Sequence, residues 1–220
     1  MRADSKETID ELLDVAERLF AARGVEHVKL TEIVASSSQK NRSALHYHFG
    51  SREGVLTAVL DRRLMRVTTL RLAILDDAAA DEPDMAKAIY AFVAPLCSVV
   101  LNEPWGSDYI SILAQVGAHP CLLGKRILDD ESMTALRRCR RLMDLSSPEI
   151  PSAVLARRFR GFHDGFIVAL ARWARTTPRS QWKPAVMQDL IEEFVQYGVA
   201  GLSVPRLPLA QTTTQNGRKR

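Results

Sequence analysis

The stretch Leu30–Leu60, LTEIVASSSQKNRSALHYHFGSREGVLTAVL, decides how this chain is interpreted. Its first segment has aliphatic residues at Leu30, Ile33 and Val34, a spacing that predicts one face of a short helix. Serines follow, and they favour a break because their hydroxyl groups compete for backbone hydrogen bonds. The stretch therefore begins with a short helix and a tight turn.

A second short helix is predicted from about Asn41 to Tyr47, and Phe49-Gly50 ends it. Ser51 is then placed to cap a longer helix with an aliphatic buried side. Two short helices joined by a tight turn can place the second one in the major groove of DNA. The spacing thus predicts a helix-turn-helix.

The predicted groove helix and its flanks carry the polar side chains that base edges and phosphates require. These candidates are Lys40, Asn41, Arg42, Ser43, His46, Tyr47, His48 and Arg52. Arg42 is the best candidate for a guanine contact because its fork can pair with two acceptors. Asn41 either contacts adenine or caps the helix. Tyr47, His48 and Arg52 are expected at phosphate oxygens, with Arg52 near a helix N-terminus.

Charge supports the same surface. The whole chain of 220 residues has a net charge of only +4, which permits nucleic-acid binding without requiring it. From Lys40 to Arg66, however, there are six basic and two acidic residues. We therefore expect positive charge to be focused where DNA phosphates would lie.

Helical periodicity runs through the chain, and no segment alternates convincingly with period two. A first helix is predicted before Gly24, and the helix capped by Ser51 should reach about Leu75. Later helices are predicted at about Pro83 to Leu101, Ser107 to Val116, Pro120 to Met143, Ser152 to Ala174 and Pro184 to Leu202. The fold class is therefore all-α, with about nine helices.

The cysteines and the apolar segments of the sequence indicate the cellular compartment of the protein. Three cysteines without a CxxC pair favour a reducing compartment. The N-terminus lacks the apolar core of a signal peptide, and the near-apolar run Ala91–Leu101 is too short to span a bilayer. We expect a soluble cytoplasmic protein that makes no membrane contact.

The run from Ile33 to Val59 resembles the DNA-binding region of TetR-family regulators. The counterparts of that family's pattern are Ile33-Val34, the turn Ser37-Ser38, Leu45 to Phe49, Arg52-Glu53 and Val55-Leu56. The resemblance implies a homodimer whose small N-terminal domains grip a palindromic DNA operator. It also implies a larger C-terminal domain that dimerises and binds a small-molecule effector.

On that basis, residues 1–50 form the helix-turn-helix domain, 51–203 the effector-binding and dimerisation domain, and 204–220 a disordered tail. The last two helices would form the dimer face through apolar residues: Phe159, Phe162, Ile167, Leu170, Leu190, Ile191, Phe194 and Val195. A largely hydrophobic effector would lie among the middle helices, in a pocket lined by some of Phe92, Leu96, Trp105, Tyr109, Leu113, Val116, Leu123 and Phe166.

The resulting hypothesis is a repressor released from its operator by a small, largely hydrophobic effector. A ligand-independent or activating DNA-binding regulator is the alternative, and a helical enzyme or adaptor is a third hypothesis. The sequence has no nucleophile with a base at useful spacing, no metal-ligand cluster and no phosphate-cradling glycine loop. No catalytic activity, cofactor or metal is therefore expected. The arginines at 137, 138, 140 and 141 form either a solvated face or a site for an anionic ligand group.

Overall fold

The structure is a computed structural model that describes residues 2–38, 48–77, 82–123 and 130–204. Within those ranges it has eight α-helices and no strand. The helices are α1 (Arg2–Arg23), α2 (Leu30–Ala35), α3 (Arg52–Asp77), α4 (Met85–Asn102), α5 (Gly106–Ala118), α6 (Asp130–Ser146), α7 (Ser152–Thr176) and α8 (Pro184–Ser203). Short 3-10 turns lie at Val25–His27, Pro120–Leu123 and Arg179–Gln181. The all-α prediction is confirmed.

The N-terminal helices form where the sequence indicates. Helix α1 buries one side, including Leu13 and Phe20, and ends at Gly24, which has φ +92°. An L side chain rarely adopts that backbone conformation, so glycine suits the end of this helix. Helix α2 buries Ile33 and Val34 against the same core.

Helix α4 is the central element of the C-terminal part. It packs against α3, α5, α6 and α8, while α1 packs against α3 and α5 and α7 packs against α5 and α8. By length and composition α4 could cross a membrane, yet 67% of it is buried among the other helices. That burial explains its apolar sequence by packing alone. Pro95 lies inside α4, where its missing N–H leaves the Ala91 carbonyl without its helical donor.

Two predicted boundaries are wrong. The helix predicted from Pro120 to Met143 has a 3-10 turn at Pro120–Leu123 in place of its first residues, and the described part of α6 spans Asp130–Ser146. The helix predicted from Pro83 begins at Met85 instead, because the Asp84 side chain caps it by accepting from the Ala86 N–H at 2.8 Å. The predicted helix Asn41–Tyr47 and the predicted tail beyond Val204 lie outside the described residues.

Candidate functional site

The turn that follows α2 is held by side-chain hydrogen bonds. The Ser37 hydroxyl donates to the Val34 carbonyl at 2.8 Å. Ser38 donates to Glu11 of α1 twice, from its backbone N–H at 2.6 Å and from its hydroxyl at 2.7 Å. The serines therefore fasten the end of α2 to α1. The sequence did not predict the role of Glu11, since no local pattern pairs it with a residue 27 positions away.

Most of the predicted groove side chains, from Lys40 to Tyr47, lie outside the described residues: Lys40, Asn41, Arg42, Ser43, His46 and Tyr47. Their roles remain predictions. The structure does describe the residues that directly follow that segment. His48 and Phe49 are helical, His48 is exposed, and Phe49 is half-buried against the core. Gly50 follows with φ +67°, so the predicted end of the helix at Phe49-Gly50 is confirmed.

The start of α3 is built closely onto this helix end. The Ser51 hydroxyl accepts from the Gly54 N–H at 3.1 Å, so the predicted cap is confirmed. A Cβ atom on Gly54 would lie 2.0 Å from the Phe49 carbonyl oxygen. Only glycine therefore permits this approach of α3 to the preceding backbone.

Arg52 lies at the N-terminus of α3 but already makes contacts within the subunit. Its guanidinium donates to the Glu26 carbonyl at 2.7 Å and to the Glu53 carboxylate at 3.3 Å. These bonds join α3 to the turn Val25–His27. A phosphate at this helix end would meet a side chain whose position is already fixed.

Besides Arg52, three arginines of the basic stretch are paired with acids. Arg62 and Arg63 of α3 bond to Asp14 of α1 at 2.7 and 3.0 Å. Arg63 also reaches Glu17 at 2.6 Å. Further along, Arg66 bonds to Glu103 at 3.2 Å. The charge count from Lys40 to Arg66 therefore overstates the positive charge available to DNA.

Glu17 is the buried centre of this network, with 2% of its surface exposed. Burial raises the pKa of Glu17, and the hydrogen bond and charge of Arg63 oppose that shift. The Arg63 guanidinium carbon also lies 4.6 Å from the centre of the Trp105 ring. Trp105, predicted as a pocket wall, thus lies at the junction of α1, α3 and α5.

Gln115 of α5 joins the two parts of the chain. Its side-chain oxygen accepts from the Val25 N–H at 2.8 Å, and its nitrogen donates to the Phe20 carbonyl at 3.1 Å. Both amide atoms are therefore used at the end of α1. We call Gln115 and the network of Asp14, Glu17, Arg62 and Arg63 the polar joint.

A cavity of about 250 Å³ lies between α3, α4, α5, α6 and α7. Five of the predicted effector residues line it: Phe92, Leu96, Tyr109, Leu113 and Val116. Phe166 does not; it is buried with its ring centre 5.7 Å from that of Phe92 and 4.8 Å from that of Phe194. The side chain of Leu123 lies outside the described residues.

Sequence reasoning missed the contribution of α3 to this cavity. Polar side chains that line it are Thr57, Asp61 and Arg71 from α3 and His163 from α7. The signal was present, since Arg71 falls in helical register with the buried or half-buried Leu60, Leu64, Val67 and Leu75. A charged residue on an apolar stripe indicates either a buried pair or a ligand contact.

The predicted dimer residues divide into two sets. Phe162, Ile167, Leu170 and Ile191 are buried inside the subunit, whereas Phe159, Leu190, Phe194 and Val195 are half-buried. The first four therefore pack in the subunit core. The exposed surface of α7 and α8 carries other apolar residues, among them Val168 (54% exposed) and Tyr197 (71% exposed).

Comparison with known proteins identifies the class. Residues 12–59 match the family described as "Bacterial regulatory proteins, tetR family", and residues 90–201 match "Tetracyclin repressor-like, C-terminal domain". The structure is similar to that of NalD, the secondary repressor of the MexAB-OprM multidrug efflux pump in Pseudomonas aeruginosa. The TM-score is 0.50 at 16% sequence identity, over 93% of this chain and 100% of that one. No curated protein matches the sequence.

The two family matches, over the N-terminal helices and over a helical bundle that contains a cavity, therefore define a bacterial regulator of the TetR type. The chain belongs to the TetR family, and it is a DNA-binding transcriptional regulator rather than an enzyme. The resemblance of Ile33 to Val59 to this family is confirmed.

Proposed function

We propose that this protein is a homodimeric repressor that a small effector releases from a palindromic operator. The observation that carries the proposal is the connection between the cavity and the DNA-binding part. Helix α5 supplies Tyr109, Leu113 and Val116 to the cavity and holds the end of α1 through Gln115. Helix α3 lines the same cavity and begins directly beside Phe49, which follows the predicted groove helix in the sequence.

The coupling follows from this connection. An effector that binds a conformation with a different placement of α3 or α5 shifts the population toward it. The polar joint and the start of α3 then move with those helices, and the spacing of the two groove helices in a dimer changes. Because half-sites of a twofold operator lie about one helical turn of DNA apart, a changed spacing weakens binding. This activity belongs in the cytoplasm, where bacterial DNA is accessible.

The exposed face of α7 and α8 supports the dimer. Gly161 and Gly165 of α7 and Gly201 of α8 have open space where a Cβ atom would lie, so another backbone can approach closely. Val168 and Tyr197 add exposed apolar surface to this face. Two helices from each subunit would form a four-helix seam.

Sedimentation tests the dimer. Val168→Arg places a charge on this face and should convert the dimer to a monomer. Met65→Arg is the matched control, because Met65 is 70% exposed on α3. A wild-type protein that sediments as a monomer at micromolar concentration contradicts the dimer.

Footprinting and gel shifts on the DNA that flanks the protein's own gene test operator binding. We expect one protected, twofold-symmetric site. Arg42→Ala should lose about 1–3 kcal/mol of binding free energy and relax discrimination at one operator position. Arg52→Ala should weaken binding to all sequences alike and lower the salt slope by about one. If both variants behave identically across operator sequences, the division between base and phosphate contacts is wrong.

A reporter gene downstream of the protected site tests the sign of regulation. Expression should rise when the regulator is deleted. Expression that falls instead indicates the activating alternative.

A further inference from the structure

Arg71 is a buried charge without a carboxylate partner in the described part of the chain. Its side chain is 3% exposed and lines the cavity. Among the described residues, its donors reach two backbone carbonyls, those of Ala91 at 3.3 Å and Phe92 at 3.5 Å. Because arginine keeps its proton in proteins, this guanidinium remains charged. A buried charge is costly unless it is paired, so its position requires an explanation.

Pro95 explains one of these contacts. The proline removes the donor that the Ala91 carbonyl would receive in a regular helix, and the Arg71 Nε–H replaces it. That task needs one neutral donor, such as a glutamine amide. A guanidinium has five N–H donors, and bonds of 3.3 and 3.5 Å are long for a charged donor. The hydrogen bond to the Ala91 carbonyl therefore does not explain why this residue carries a charge.

Tyr109 supplies a second buried donor in the same cavity. Its side chain is 1% exposed and lines the cavity. Burial raises the pKa of the Tyr109 phenol, so the hydroxyl keeps the proton that it can donate. A phenol hydroxyl in the wall of a cavity can donate its proton in a hydrogen bond to an acceptor of the ligand.

Apart from Thr57, Asp61 and His163, the rest of the cavity is lined by apolar side chains, and the cavity is small. Leu60, Leu64, Val67 and Leu96 are among the residues that line it, and its volume is about 250 Å³. A dry cavity of roughly 150 Å³ accepts benzene, so this one has space for a ring with a short side chain or for a medium-length alkyl chain. A ligand that fills it must be mostly hydrocarbon.

A basic groove borders the cavity and shares Leu136 and His163 with it. The groove is lined by Arg137 and Arg140 of α6 and by Arg160 of α7. Positive charge at the border of a cavity raises the local concentration of anions. Two of the α6 arginines for which the sequence leaves a solvated face or an anion site open, Arg137 and Arg140, thus line a groove that adjoins the cavity, where Arg140 is paired with Asp144.

We propose that the effector of this cavity is a small apolar carboxylate whose carboxylate is bound by the Arg71 guanidinium and the Tyr109 hydroxyl. The inference rests on the proposed function only in calling the ligand an effector. The binding site itself does not depend on DNA binding. It refines the expectation of a largely hydrophobic ligand, because one end of the ligand carries the charge that neutralises Arg71.

Calorimetry with matched probes tests the proposal on the full chain. The probes are octanoate with octanol and cinnamate with cinnamyl alcohol, which share a carbon skeleton and differ in the charged group. We expect at least one acid to bind the wild type about tenfold or more tightly than its alcohol. Equal binding of acids and alcohols, tighter binding of the alcohols, or no binding of either acid overturns the proposal.

Variants assign the effect to the two donors. Arg71→Gln retains a donor for the Ala91 carbonyl and should abolish the preference for the acid while leaving alcohol binding unchanged. Arg71→Lys should restore part of the preference, and Tyr109→Phe should weaken acid binding alone. Arg66→Gln is the control, since Arg66 is an exposed arginine of the same helix. An acid preference that survives in Arg71→Gln, with circular dichroism showing a folded protein, contradicts the assignment.

The same acids are then added to the operator complex. An acid that binds through Arg71 without releasing DNA leaves the binding site standing and contradicts the proposed release mechanism. If the protein binds DNA but shows no preference for the acids, the proposed DNA binding stands and the proposed carboxylate site is wrong.

Discussion

The contact between α4 and α8 and the polar joint hold their helices by different physics. Between α4 and α8 the contact is apolar and tight: a Cβ atom on Gly198 would lie 3.0 Å from both Ile89 and Phe162. At the polar joint, α1 meets α3 and α5 through charged and amide side chains, although the apolar core is continuous beneath it. One contact is fixed by shape, and the other by directed bonds.

The difference indicates which contact can change during regulation. Apolar packing has no preferred direction, but interdigitated side chains resist sliding because any gap loses contacts. Charge-assisted hydrogen bonds weaken steeply when distance or angle changes. A small displacement of α3 or α5 by an effector would therefore leave α4–α8 intact and rearrange the polar joint. The C-terminal bundle would act as a frame and the polar joint as the responsive part.

The largest expected effect is on the frame. Phe162→Ala removes a ring that is 6% exposed and packs near Phe92, Phe166 and Gly198. We expect a loss of about 3–5 kcal/mol in the free energy of unfolding, measured by urea denaturation. Phe162→Leu, which keeps most of the volume, should lose much less. A Phe162→Ala protein of wild-type stability that fails to dimerise would instead place this ring at the subunit interface, as the sequence suggested.

The next effect is on the charged part of the polar joint. Glu17→Gln removes the buried carboxylate that Arg62 and Arg63 share, at a cost of about 2 kcal/mol in the free energy of unfolding. Asp14 remains bonded to both arginines and limits the loss. Asp10→Asn is the control, because Asp10 is 49% exposed and lies 3.7 Å from Arg62. Equal losses in the free energy of unfolding for the two substitutions would mean that the burial of Glu17 does not increase its contribution to stability.

A smaller loss in the free energy of unfolding is expected for Gln115, the amide side chain of the polar joint. Gln115→Ala leaves the Val25 N–H and the Phe20 carbonyl without their side-chain partner and should cost about 1 kcal/mol. Hydrogen exchange of the Val25 amide should accelerate, since its bond is lost. Gln188→Ala is the control: its amide bonds to Glu192 on the exposed side of α8. Unchanged exchange at Val25 would contradict the role of Gln115 in holding α1.

Local features of the fold were predictable from the sequence. The end of α1 at Gly24, the Ser51 cap, and helices α7 and α8 follow from periodicity, capping residues and turn glycines. These signals act within a few residues, so they can be recognised without the rest of the structure. Helix α6 was predicted to begin too early because Pro120 was interpreted as a first-turn proline, although Pro120 begins and Gly124 directly follows the residues of the 3-10 turn in the sequence.

The candidate site was less predictable because it depends on long-range packing. An aromatic stripe such as Phe159, Phe162 and Phe166 has the same sequence pattern whether it faces the subunit's own core or a second subunit. Here Phe162 and Phe166 face the core. The pairing of Glu17 with α3 and the placement of Arg71 in the cavity wall likewise require the fold, since their partners lie tens of residues away.

The smallest perturbation is a chemical probe that leaves the sequence intact. Cys97 in α4 and Cys139 in α6 are buried, and burial raises the pKa of Cys97 to about 12 and that of Cys139 to about 11. Cys121 is exposed in the 3-10 turn Pro120–Leu123. Thiolates are the reactive form, so a disulfide reagent at mildly alkaline pH should modify one thiol per native chain and all three after denaturation. Cys121→Ser, the control, should abolish the fast reaction. Rapid modification of Cys97 in the native protein would mean that the frame opens readily, and the contrast between a fixed bundle and a responsive joint would fail.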